Sequence, residues 1–365
     1  MKTHRFIIAG GGTGGHIFPA IAIANAIKSL SPEAEILFVG AKNKMEMEKV
    51  PQAGYKIEGL TIAGFNRSSL IKNAVLPFKL AMSFYEVYKI FKKFKPSAVI
   101  GVGGYSSFPV LRYAQVKGIP TFIHESNSFA GKSNIMLGKK AVKIFTAGDG
   151  MEKFFQENKL VVTGNPVRKP IVEQTLTREE GLDFFGLDTG KTTVLSMGGS
   201  LGAKSINEAI DNNIDDFESN DLQLIWQTGK PYHQKGLERV NGMKGIYIND
   251  FISKMEYAYS AADIVISRSG AMAIAELCVV KKPVVFVPYP FAAEDHQTVN
   301  AQRLVNKNAA LMIKDNEASE RLIPEIIRLA ADKQMQADLV NNISKMGVKD
   351  ADKIIANEIM ASLDK

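Results

Sequence analysis

The chain has 365 residues, 45% of them hydrophobic and 23% charged, a balance that excludes a disordered or low-complexity protein and leaves room for two domains. Its single cysteine, Cys278, excludes an intramolecular disulfide framework; the thiol reads as buried and structural, in a protein of a reducing compartment. A net charge of +7 admits nucleic acid, anionic lipid or a phosphorylated substrate as partner.

At the N-terminus the apolar stretch 6–9 is too short for a signal peptide, and glycines follow it at once. No uninterrupted apolar run approaches the ~18 residues of a transmembrane helix, so the expectation is a soluble or peripheral protein. Short β-branched runs at 6–9, 36–39, 98–101, 121–124, 143–146 and 160–163 read as strands. A second series follows at 193–197, 222–227, 245–248, 264–267, 284–287 and 310–313. Stretches of helical periodicity, such as 19–30 and 207–214, fill the gaps. This alternation predicts an α/β protein with parallel sheets covered by helices on both faces. Between the two series, Gly164-Asn165-Pro166-Val167-Arg168-Lys169-Pro170 marks a boundary, because its two prolines disfavour a continuous helix. Two doubly wound, Rossmann-like domains with facing strand ends would enclose a cleft, and ligands of open α/β sheets bind outside those ends.

Both series open alike. The first strand runs into Gly10-Gly11-Gly12-Thr13-Gly14-Gly15, and the strand at 193–197 into Gly198-Gly199-Ser200-Leu201-Gly202-Ala203. A third glycine loop is Gly101-Val102-Gly103-Gly104-Tyr105. Glycine lets backbone approach a ligand closely, and the helix that follows offers unpaired N–H groups to a phosphate. Pro19 fits the first turn of such a helix. Gly10, Gly12 and Gly15 also satisfy G-x-G-x-x-G, a weak signature of an NAD site. That site wants an acidic residue at the end of the second strand, roughly 20 residues on, for the ribose. Here the strand ends Phe38-Val39-Gly40-Ala41-Lys42 without one, which counts against an oxidoreductase.

In the second half a strand ends at Ser267-Arg268-Ser269 and a helix begins near Gly270. Arg268 can neutralise phosphate, and the helix N-terminus can bind it. Glu276 lies about two turns along, on the side Met272 shares, where a carboxylate can accept from a ribose diol. The polar run 294–300 reads either as a helix cap or as further nucleotide contacts.

The run Gly11-Gly12-Thr13-Gly14-Gly15-His16-Ile17-Phe18-Pro19 resembles the MurG family, the UDP-GlcNAc:undecaprenyl-diphospho-muramoylpentapeptide GlcNAc-transferases of peptidoglycan synthesis. The resemblance continues through Gly101 to Tyr105, His124-Glu125-Ser126-Asn127, Gly164 to Arg168, Gly198 to Ala203, Arg268 to Ala271 and Gln297 to Ala301, spanning nearly the whole chain. It implies a GT-B fold, an inverting mechanism and lipid II as product. It places Thr13, Gly14, Gly15, Asn127, Arg168, Ser200, Ile252, Ala271, Met272, Ala273, Ile274, Ala275, Glu276 and Gln297 around UDP-GlcNAc, with Asn300 beside them. Within that set it gives Glu276 the ribose and the backbone near Ile252 the uracil. His16, Gly103, Gly104, Tyr105 and Glu125 match the acceptor side. Two positions depart from the pattern: Ala273 stands where a hydroxyl residue is common, and His296 where a second Gln is common. The implied domains are 1–166 for acceptor and membrane, 167–345 for UDP-GlcNAc, and a C-terminal helix over 346–365 packing back on the first.

Inversion at an α-linked donor requires the C4 hydroxyl of MurNAc to attack from the opposite face. Charge then grows on the leaving diphosphate. Ser200 and loop N–H groups are the candidates to stabilise it, with Arg168 or Arg268 in support. For the acceptor proton the candidates are His16, kept neutral by a helix N-terminus, and Glu125. Neither a metal nor another cofactor is expected; the one Asp-x-Asp, Asp350-Ala351-Asp352, reads as a helix start. The run 70–82 is apolar and flanked by lysines, reading either as a core helix or as an interfacial segment. The implied polyprenyl acceptor favours contact of Leu76, Phe78, Lys72 and Lys79 with anionic lipid on the cytoplasmic face. No interleaved basic–aromatic motif calls for nucleic acid. Competing readings are another GT-B glycolipid glycosyltransferase, a UDP-GlcNAc 2-epimerase, and a non-catalytic UDP-sugar sensor.

Overall fold

The computed structural model describes residues 4–62, 76–199 and 201–363, with side chains for all of these except 76, 77 and 293. The chain divides into two compact units, one of Met1–Arg168 joined by Val348–Lys365, the other of Lys169–Gly347.

The strands of the first unit are β1 (Arg5–Ala9), β2 (Glu35–Ala41), β3 (Lys56–Leu60), β4 (Ala98–Gly101), β5 (Thr121–Glu125), β6 (Lys143–Thr146) and β7 (Leu160–Val162). They form a seven-stranded sheet in the order β3-β2-β1-β4-β5-β6-β7, every pair parallel. Side chains alternate across it. Phe6 and Ile8 share a core with Ile17, Ile23 and Ile27 of the helix Gly14–Leu30, while Ile7 and Ala9 face Val87, Phe91, Val110 and Leu111. Burial on both faces explains why β1 reads as a continuous apolar run, each large side chain contributing about 1.5–3 kcal/mol. The helix Ala351–Leu363 closes the first face, with Ile355, Ala356 and Ile359 in the same core and Glu358 paired to Lys143.

The second unit has β8 (Thr192–Met197), β9 (Leu222–Gln227), β10 (Ile246–Asn249), β11 (Ile264–Ser267), β12 (Val284–Phe286) and β13 (Leu311–Met312), in the order β10-β9-β8-β11-β12-β13. All its pairs are parallel too. In each unit the first strand lies between the second and fourth strands of its series, or their equivalent in the first sheet. There the winding reverses and strand ends leave room for a ligand.

Two expectations need correction. The edge strand β3 was not expected; its sequence Lys-Ile-Glu-Gly-Leu is short, half polar and broken by glycine, so it lacks the apolar run of its neighbours. The helix after the first glycine loop starts at Gly14, with Thr13 extended at its N-cap, so Pro19 falls in the second turn and not the first.

Candidate active site

In the first unit the glycine loop leaves β1 and passes directly into the helix Gly14–Leu30, whose N-cap Thr13 makes no side-chain capping bond. Thr13, Gly14 and Gly15 therefore present helix-start backbone of the kind that suits an anion. His16 is half-buried. Its Nδ1 lies 3.1 Å from the Gly11 carbonyl and 3.5 Å from Thr13 Oγ1. A carbonyl only accepts, so Nδ1 is the donor in this contact, and a neutral ring so placed has its lone pair on Nε2. The other edge of the ring lies against Gly103, where a Cβ would sit 2.7 Å from Nε2. Gly104 packs on the Gly11 backbone, and Tyr105 projects with 60% of its surface exposed.

Glu125 ends β5 in different surroundings. It is 4% exposed. Its Oε1 accepts from the N–H and the Nδ2 of Asn127, at 3.1 and 3.4 Å, and its Oε2 from the N–H of Gly131 and the Nδ2 of Asn134, at 3.1 and 2.8 Å. A buried carboxylate with both oxygens engaged holds the loop after β5, and this geometry runs against its role as a base. Beside it His124 is buried; burial first, and the neighbouring His16 second, push its pKa down to about 4, against an upward pull from the Gly164 backbone and Asn165. Arg168 stacks its guanidinium over Phe18, 5.6 Å from the ring centre.

In the second unit Gly202 shows why the loop after β8 needs glycine: its φ is +75°, and a Cβ would sit 1.9 Å from the Thr228 carbonyl. Ser200 lies outside the described residues. Gln227, at the end of β9, ties this loop to the next. Its Nε2 donates to the Gly199 carbonyl at 3.1 Å, and its Oε1 accepts from the Ile252 N–H at 3.1 Å. The helix Ala271–Val280 starts at Gly270 with no side-chain cap. Ala271, Met272, Ala273, Ile274 and Ala275 form its half-buried first turns. Glu276 follows, 6% exposed, and its Oε2 accepts from the Tyr259 hydroxyl at 3.0 Å. Gln297 Oε1 accepts from the Tyr289 N–H, the Gln297 carbonyl accepts from Ser269 Oγ, and Asn300 donates to the Ser269 carbonyl. These bonds strap the helix His296–Val305 to the loop after β11.

Arg268 is engaged within its own unit. Its side chain is 12% exposed, and its guanidinium donates to the Val287 and Pro288 carbonyls, Ser205 Oγ and Asp315. These bonds clasp the loops after β11 and β12 to the segment around Asp315. Cys278 is buried, and burial pushes its thiol up to about 12, as an inert core group requires. Asp350 and Asp352 stand at the start of the C-terminal helix, in the first unit.

The profile of the glycosyltransferase family 28 N-terminal domain matches residues 6–146, and that of its C-terminal domain residues 193–355. The UDP-N-acetylglucosamine–N-acetylmuramyl-(pentapeptide) pyrophosphoryl-undecaprenol N-acetylglucosamine transferase of Phocaeicola vulgatus is 50% identical over 99% of this chain and 97% of its own length. The protein of the same name from Parabacteroides distasonis is 49% identical over the full length of both. The crystal structure of Acinetobacter baumannii MurG superposes with a TM-score of 0.78 at 26% identity, covering 99% of this chain and 100% of that one. The chain belongs to the MurG family. It is a glycosyltransferase with the GT-B fold.

Within this MurG-family chain the segment expected at the membrane is only partly described. Lys72 lies outside the described residues, and Leu76 is placed only as the first residue of the helix Leu76–Phe94. Phe78 is 71% exposed and Tyr85 53%, with Leu80, Met82 and Tyr88 exposed too and Lys79 half-buried. Among the described residues no helix is long and apolar enough to cross a membrane. Sequence reasoning missed Tyr259, Gln227 and Glu46. Tyr259 sits in the unremarkable run Tyr-Ala-Tyr-Ser-Ala, and nothing local marks its partner 17 residues on.

Proposed function

We propose that this enzyme transfers GlcNAc from UDP-GlcNAc to the C4 hydroxyl of MurNAc in undecaprenyl-diphospho-MurNAc-pentapeptide, forming lipid II with inversion at C1. The carrying observation is the full-length identity of about one residue in two to transferases bearing that name. In the second unit Glu276, anchored by Tyr259, takes the ribose diol. The Ile252 carbonyl takes the uracil, since its N–H is given to Gln227. The helix start at Ala271 and the amides around Ser200 meet the diphosphate as charge develops on it, the term that usually dominates such catalysis. Gln297 and Asn300 complete the donor set of this unit.

On the acceptor side His16 removes the hydroxyl proton through Nε2, and Tyr105, Gly103 and Gly104 line its approach. Glu125 keeps the loop after β5 in shape. The exposed apolar stripe of Phe78, Met82 and Tyr85 lies on one side of its helix at 4- and 3-residue spacing, which suits a peripheral contact with anionic lipid on the cytoplasmic face. Incubation with UDP-GlcNAc and a lipid I analogue tests the reading: it requires UDP release matched by a β-1,4 disaccharide. Epimerisation of UDP-GlcNAc with no acceptor present would replace it with an epimerase.

A further inference from the structure

Glu46 opens the short helix Glu46–Gln52 after β2, and its side chain is 1% exposed. Its Oε2 accepts from the Gly12 N–H at 2.8 Å and its Oε1 from the Ala41 N–H at 2.9 Å. The surrounding backbone is shaped to admit it. A Cβ on Gly11 would lie 2.3 Å from its carboxyl carbon, and one on Gly40 2.5 Å from its Cγ. An acidic residue thus does reach the first glycine loop, but it is spent on loop amides.

The N–H of Gly12 and the carbonyl of Gly11 belong to one peptide unit. In a trans peptide these two groups point in opposite directions. On one side the N–H meets Glu46; on the other the carbonyl meets His16 Nδ1 at 3.1 Å. A peptide between two glycines turns over at little steric cost, so an outside anchor must fix its sense. Glu46 is that anchor. A carboxylate on the N–H also polarises the peptide and strengthens its carbonyl as an acceptor.

We propose that Glu46 is a positioning residue that acts through the Gly11–Gly12 peptide to hold His16 in the Nδ1–H tautomer, with Nε2 presented as the base. The arrangement parallels the carboxylate that orients the histidine of a hydrolase triad, with a peptide bond interposed. The kinetic half of this proposal rests on His16 acting as the base.

The test uses the full-length enzyme with its histidines labelled with 15N. At neutral pH the wild-type His16 signals should be those of a neutral ring protonated on Nδ1. In Glu46→Gln, where the side-chain NH2 faces one of the two backbone amides, the signals should move toward Nε2–H. kcat should fall about tenfold or more while KM for UDP-GlcNAc changes less than about twofold. Glu46→Asp should recover part of the turnover. An Nε2–H ring in the wild type overturns the proposal without any variant. So does an unchanged His16 spectrum in folded Glu46→Gln. Normal turnover in His16→Ala would instead overturn the base assignment and with it the kinetic half, while the spectra still decide whether Glu46 sets the tautomer.

Discussion

Glu125 and His16 enter as rivals for one proton and stand in different surroundings. The four side-chain hydrogen bonds of Glu125 come from the loop after β5 and, through Asn134, from the helix that follows it. Glu125→Gln should therefore destabilise the fold by about 1–3 kcal/mol, by setting an amide NH2 against those donors. The check is a lowered Tm together with kcat within about threefold once the folded fraction is counted. Tyr259→Phe removes one charge-assisted bond to Glu276, of about 1.5 kcal/mol or more. Steady-state kinetics should then show KM for UDP-GlcNAc rising roughly tenfold with kcat little changed. His124 makes stability depend on pH. Its folded-state pKa is depressed to about 4 from an ordinary 6.5, so between these values the unfolded chain binds more protons. Its contribution is complete above the upper value and is lost as pH falls toward the lower, by on the order of 3 kcal/mol. Urea midpoints at neutral pH and in this window should diverge in the wild type, and diverge less in His124→Gln.

Among the elements, strands buried on both faces were legible and the edge strand β3 was not. β1 from Phe6 on and all of β4 are apolar and buried because each face meets a helix, whereas β3 alternates with Lys and Glu and offers no such run. The helix Leu76–Phe94 shows the converse limit. The run 70–82 leaves a core helix and an interfacial segment both open, and only exposure separates the outward Phe78, Met82 and Tyr85 from the buried Val87 and Phe91. If that outward stripe enters the interface, Phe78→Asp with Tyr85→Asp should cut sedimentation with anionic vesicles several-fold at unchanged Tm. Equal binding by the variant removes the stripe from the membrane account.

For the whole molecule, one winding used twice supplies each unit with a glycine loop and a helix start, and on the proposed reading backbone and dipole of the second unit meet the diphosphate. Activity on UDP-GlcNAc and a lipid I analogue should accordingly persist in EDTA; abolition reversed by Mg²⁺ would assign that charge to a cation. The paired windings, the loops at strand ends and the MurG-family motifs are properties of the sequence itself, because turn chemistry and strand periodicity act over a few residues. Partnership is different. Gly12 meets Glu46 across 34 positions, Arg268 meets Asp315 across 47, and Lys143 meets Glu358 across 215. No local pattern encodes those distances. Folding alone decided that Arg268 clasps loops, that Glu125 is enclosed by the loop and helix that follow it, and that a buried carboxylate stands behind His16. A charged side chain takes its role from the groups that desolvate and pair it, and those arrive only with tertiary structure.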